Sequence, residues 1–186
     1  CQLDCRAVHR LPGSPRPDRS ALMKAPPAVS GPHASPIHVA LLGQANSIHL
    51  QRWAIGLAER GLRVSVITQQ GAEALPLPSS IEVHVLPFRG GAGYVLNALA
   101  LRRLLHTLRP DLLHAHYASG YGTTAMLARW HPWLLSVWGA DVYDFPEKST
   151  LHRALLRQNL QRADRLASTS MAMAKLAVPG RRPWSA

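Results

Sequence analysis

The sequence predicts an α/β domain built on a mostly parallel sheet with helices on both faces. Two observations carry that reading. Five apolar, strand-like runs at 37–43, 63–70, 81–88, 111–117 and 134–141 alternate with helical patterns, and a sixth candidate run follows at 165–170. Each run also ends in small, polar or aromatic residues. Alternation of this kind specifies parallel strands joined by crossover helices, and ligands of such sheets collect at the carboxyl ends of the strands. Function is therefore expected at Gly43-Gln44-Ala45-Asn46-Ser47, at His114-Ala115-His116-Tyr117 and at Trp138-Gly139-Ala140-Asp141.

The elements follow in order. Residues 1–36 contain seven of the fifteen prolines and no sustained periodicity, so they are expected to form a disordered leader, with Met23-Lys24 an internal candidate start. After the first strand, Asn46 or Ser47 can cap a helix over 47–60 that stops at Gly61. Its residues Leu50, Trp53, Ala54, Leu57 and Ala58 repeat at helical spacing and make one apolar face. Residues 71–80 and the glycine-rich 89–93 read as loops, the second either close to a ligand or a mobile connection. A helix over 96–108 presents Leu101, Leu104, Leu105 and Leu108 inward and leaves Arg102 and Arg103 solvated. A shorter helix is expected over 123–130, and a longer one over 149–163 capped by Ser149 or Thr150. The domain is thus expected to span 37–176, with an irregular tail at 177–186.

A chain of 186 residues suits one domain with a sizeable core. The formal net charge of +11 is concentrated at the ends, because residues 1–36 hold five basic against two acidic residues and 175–186 hold three basic and no acidic ones. The remaining modest basicity suits phosphorylated ligands or an anionic membrane surface. It lacks the dense basic stripe interleaved with aromatics expected of a nucleic-acid groove, and no nucleic-acid partner is expected. Cys1 and Cys5 make neither a disulfide framework nor a metal site, and a reducing compartment is the default. No apolar stretch is long enough to span a bilayer, and the leader lacks a continuous signal-peptide core, so the expected location is cytoplasmic.

The chemistry-bearing residues leave several readings open. Gly43 ends a strand at a helix start, where unpaired N–H groups favour an anion. The turn has neither G-x-G-x-x-G nor a P-loop ending, so it is either a helix cap or a loose polar contact through Asn46 or Ser47. The missing fingerprint also disfavours a nucleotide-dependent oxidoreductase. His114 and His116 share one face of their strand. No third ligand stands near them in sequence, so no metal is expected. His114 reads as a satisfied core histidine, whereas His116 and Tyr117 are placed to hydrogen-bond a polyhydroxyl or phosphate ligand. Trp138 offers a ring face for a sugar or for the core, and Asp141 either holds hydroxyls or caps a turn.

Taken in order, 37–43, Leu57-Ala58-Glu59-Arg60-Gly61, 110–117 and Ser136-Val137-Trp138-Gly139-Ala140-Asp141-Val142 resemble the amino-terminal domain of group 1 (family four) retaining glycosyltransferases. The resemblance implies a single Rossmann-like domain, one half of the B-type glycosyltransferase fold. It implies that this half receives the acceptor, a glycan or lipid-linked sugar, while a carboxyl-terminal domain holds the nucleotide-sugar. By the same resemblance, Gly43, Asn46 and Ser47 face the donor phosphates. His116, Tyr117, Trp138, Gly139 and Asp141 line the acceptor side, with Trp138 standing where many members carry a histidine. No residue is assigned a catalytic role and no cofactor is expected. Residues 177–186 do not read as the start of a donor domain, so the expectation is a truncated or frameshifted frame, inactive alone, with peripheral contact to the inner face of a membrane. The alternative is a stand-alone α/β module that binds a carbohydrate or a partner without catalysis.

Overall fold

A computed structural model describes residues 35–71 and 77–177. The leader up to residue 34, part of the 71–80 loop and the tail beyond 177 lie outside the described residues. Six strands, β1 (His38–Leu42), β2 (Arg63–Thr68), β3 (Glu82–Val85), β4 (Leu112–His116), β5 (Trp133–Val137) and β6 (Arg165–Ser168), form one sheet. Their order is β3-β2-β1-β4-β5-β6, and every pairing is parallel. This is the Rossmann-like arrangement, in which the chain's direction across the sheet reverses between β1 and β4.

Period-two alternation divides the core into two layers. Val39 and Leu41 of β1, with Val64 and Val66 of β2, pack on Leu50 and Ala54 of α1 (Ile48–Ala58). Ala40 and Leu42 face the opposite way, into a larger cluster. That cluster is built with Leu101 and Leu105 of α2 (Gly90–Leu108), Tyr121 and Ala125 of α3 (Gly120–Ala128), and Leu156 and Leu160 of a later helix, α5. Between β5 and α5 (Thr150–Arg162) lies the single-turn α4 (Ala140–Tyr143), and α6 (Met171–Ala177) closes the described chain.

The sequence expectations differ from the fold at three places. Residues 90–93 are the first turn of α2 rather than a loop. The reason is local: buried Asn97 accepts from the Phe88 N–H at 3.0 Å and donates to the Phe88 carbonyl at 2.7 Å, which fixes the chain as it enters the helix. A Cβ on Gly93 would stand 2.5 Å from that same carbonyl, so only glycine fits. The third helix begins at Gly120, where a Cβ would lie 2.5 Å from the Tyr94 ring, so Gly120 serves α2–α3 packing instead of breaking the helix. The fifth strand stops at Val137, because Gly139 adopts φ 116° and the chain turns into α4.

Candidate functional site

Three strand ends meet where the sheet reverses. The β1 end carries Gly43 and the turn into α1, the β4 end carries His116 and Tyr117, and the β5 end carries Trp138 and Gly139. His114 and His116 alternate with Leu113 and Ala115, which belong to the larger core layer, so both histidines face α1. There they meet Trp53, whose ring lies edge-on 5.0 Å from His114 and 6.0 Å from His116. The Trp138 ring stands 5.6 Å from His116, 6.4 Å from Tyr117 and 5.3 Å from His49.

The two histidines stack with centroids 4.0 Å apart yet have different surroundings. His114 pairs its Nε2 with the Ser136 hydroxyl at 2.7 Å, and burial drives its pKa down to about 3. His116 is fully buried, and neither ring nitrogen has a partner among the described residues. Burial, with His114 and His49 adding to it, pushes its pKa well below the usual histidine value, so the ring is neutral. A neutral imidazole offers one donor and one acceptor. Leaving both unmade in an apolar surrounding is costly, and sites that do so are often completed by a ligand.

Gly43 lets these elements approach one another. A Cβ there would come within 2.6 Å of the Leu50 side chain and 3.2 Å of the His116 Cβ. Its N–H is not free for a phosphate, since it extends the sheet to the Ile67 carbonyl at 3.0 Å. The turn is braced internally: Gln51 donates to the Ala45 carbonyl, and Ser47 caps α1 by accepting the His49 N–H. Gln44 and Asn46 are exposed, and with the Ser47 hydroxyl proton they are polar side-chain groups of this turn open to a ligand.

Asp141 corrects the expectation of a carboxylate that holds hydroxyls. It is fully buried, and its oxygens accept three backbone N–H groups: Ala118 at 2.6 Å, Trp138 at 2.9 Å and Gly139 at 2.9 Å. Burial raises its pKa, and the three donors only partly offset that. Asp141 therefore positions the loops after β4 and β5 and offers no face to a ligand. Its counterpart is buried Asn159, which donates to the Ala118 carbonyl at 2.8 Å and to Thr123 Oγ1 at 2.9 Å. The peptide units flanking Ala118 are thus fixed on one side by α4 and on the other by α5. Tyr117, just before it, is held at φ 79°, a left-handed conformation that a bulky residue rarely adopts. Such residues persist where the surroundings over-determine them, often at ligand sites.

Sequence reasoning brought Gly43, His116, Tyr117, Trp138 and Gly139 to one edge and missed His49, Trp53 and Asn159. The first two carried a readable signal, because residues 49 and 53 are four apart on the helix that begins at the site. Among the described residues no group of three His, Cys, Asp or Glu could hold a metal ion.

A family model described as glycosyl transferase 4-like matches residues 38–170, which covers all six strands. The chain belongs to the glycosyl transferase 4-like family. Among solved structures, this glycosyl transferase 4-like chain is similar to a sucrose-phosphate synthase from Thermosynechococcus elongatus, at 13% identity and a TM-score of 0.53 over 69% of the chain. That likeness bears on the fold alone, and the chain spans 41% of the length of that synthase. Weaker likenesses are to the glycotransferase of kitacinnamycin (18% identity, TM-score 0.40, 69% of this chain and 36% of that one) and to a UDP-galactose 4-epimerase (14%, 0.36, 60% and 62%). No curated protein matches the sequence.

Proposed function

We propose that this glycosyl transferase 4-like domain forms the acceptor side of a retaining glycosyltransferase. Its partners in that reading are a nucleotide-sugar and a glycan or lipid-linked acceptor, met in the cytoplasm at the inner face of a membrane. The observation that carries the reading is His116, a neutral imidazole whose two nitrogens have no partner among the described residues, at the sheet's reversal point and roofed by aromatic rings. Trp138 and Tyr117 are partly exposed, so their rings give a sugar apolar faces to stack on. Displacement of Trp138 would uncover His116, whose neutral ring can both donate to and accept from hydroxyls. Asp141 keeps the Trp138 and Gly139 backbone in place by accepting both N–H groups, while Asn46 and Ser47 belong to the side expected to face donor phosphates. With Asp141 committed to backbone donors, this wall binds and orients an acceptor rather than exchanging protons with it, and transfer then depends on holding two substrates in near-attack geometry.

Saturation-transfer NMR against a panel of free glycans, lipid-linked sugars and nucleotide-sugars tests the assignment. Acceptor-type compounds should receive magnetisation from aromatic protons, and nucleotide-sugars should receive little. Strong nucleotide-sugar signals with none from any acceptor would assign this surface to the donor and overturn the reading.

A further inference from the structure

Helix α2 buries one side through Gly93, Asn97, Leu101 and Leu105. Its opposite face is apolar at one end and basic at the other. Val95, Leu96 and Leu99 are 56%, 54% and 57% exposed at helical spacing, and Phe88 just before the helix is 47% exposed. The same face continues into exposed Arg102 and Arg103, and α2 contains no acidic residue. A solvated helix face would carry its polar residues along its whole length, and this one does not.

We infer that the outer face of α2 docks on an anionic bilayer surface. Phe88, Val95, Leu96 and Leu99 enter the boundary between headgroups and acyl chains, and Arg102 and Arg103 stay among anionic headgroups. Apolar side chains beside cations and free of acidic neighbours are the combination that interfacial binding requires. A protein partner fits less well, because a stable protein interface buries about 800 Å² on each side, more than three or four half-exposed side chains provide. Position adds to the argument. Helix α2 starts directly after β3, so its apolar end lies at the carboxyl edge of the sheet, the same edge as His116 and Tyr117. Thr124 Oγ1 of α3 donates to the Tyr94 carbonyl at 2.8 Å and ties that end of α2 to the helix following Tyr117. Docking through α2 would bring the candidate site to the membrane surface. The inference rests on exposure and charge in α2 and names the surface for the membrane contact included in the proposed function, while its test does not depend on transferase activity.

Sedimentation of the full chain with phosphatidylcholine vesicles, with and without phosphatidylglycerol, tests it together with hydrogen exchange on the bound protein. Binding should require phosphatidylglycerol, weaken as salt rises, and slow exchange across 88–103. Leu96→Glu/Leu99→Glu and Arg102→Glu/Arg103→Glu should each weaken binding at least about tenfold. Equal binding to both vesicle types, no binding, or protection confined to the basic segments outside α2 would overturn it. So would protection of α2 by protein concentration alone, with a dimer in sedimentation velocity, which would assign the face to a second copy. If either variant fails to fold, the exchange map of the unaltered chain decides.

Discussion

His114 and His116 are two residues apart on one strand, and among the described residues only the first has a hydrogen-bond partner. Both are held neutral by burial, His114 with a pKa near 3 and His116 well below the usual value. The unfolded chain protonates both near pH 6.5, whereas the folded chain does not, so the unfolded state binds more protons as the pH falls below that value. Folding stability should therefore be full above about pH 6.5 and should fall below it, by up to about 1.4 kcal/mol per pH unit for each buried histidine. For His114 the loss continues towards pH 3. Asp141 acts in the opposite sense, since its raised pKa makes the folded state the stronger proton binder above the usual carboxylate range. The informative quantity is thus the difference between the unaltered chain and His116→Phe in urea denaturation from pH 7 to pH 5. The variant should lose about one proton's worth of slope, and identical slopes would show that His116 titrates freely. The satisfied character of His114 was legible from its place inside an apolar strand. The role of Asp141 was not, because its three donors are main-chain groups of two loops and one of them lies 23 residues away.

Elements α4 and α5 act on the site through single side chains. Asp141 collects the N–H groups of Ala118, Trp138 and Gly139, and Asn159 holds the Ala118 carbonyl. Replacing Asp141 by Asn puts an amide NH₂ against backbone donors in a fully buried place. The change should cost about 1–3 kcal/mol in urea denaturation and reduce the near-ultraviolet circular dichroism of Tyr117 and Trp138. Unchanged stability and spectrum would mean that the loops are held by something else. The boundaries of the elements show the same division between local and distant causes. Helices α1 and α5 start where Ser47 and Ser149 were available as caps, a signal contained in a few adjacent residues. Helix α2 begins in glycines that read as loop, and α3 begins at Gly120, three residues before its expected start, because the groups that make glycine necessary there, the Phe88 carbonyl and the Tyr94 ring, were visible only once the chain had folded.

Across the whole molecule, alternating apolar runs were enough to specify the sheet, and the order of the strand ends was enough to specify the family. The likeness to the sucrose-phosphate synthase at 13% identity makes the same point, since the layered pattern persists where the individual residues do not. The site was less legible than the fold. Strand-end logic located one wall with Trp138, but the other rings over it come from α1, Trp53 against His116 and His49 against Trp138, and which helix face covers a strand end is decided by packing. The central claim is that Trp138 at this edge is a sugar platform in the acceptor site. Its most direct test is calorimetric titration of the best acceptor from the NMR panel into the unaltered chain and into Trp138→Ala, with thermal melts of both. The account predicts at least about tenfold weaker binding by the variant with little change in melting, because the ring is partly exposed and stacking is its main contribution. Equal affinity in the two proteins would contradict it and return Trp138 to the core.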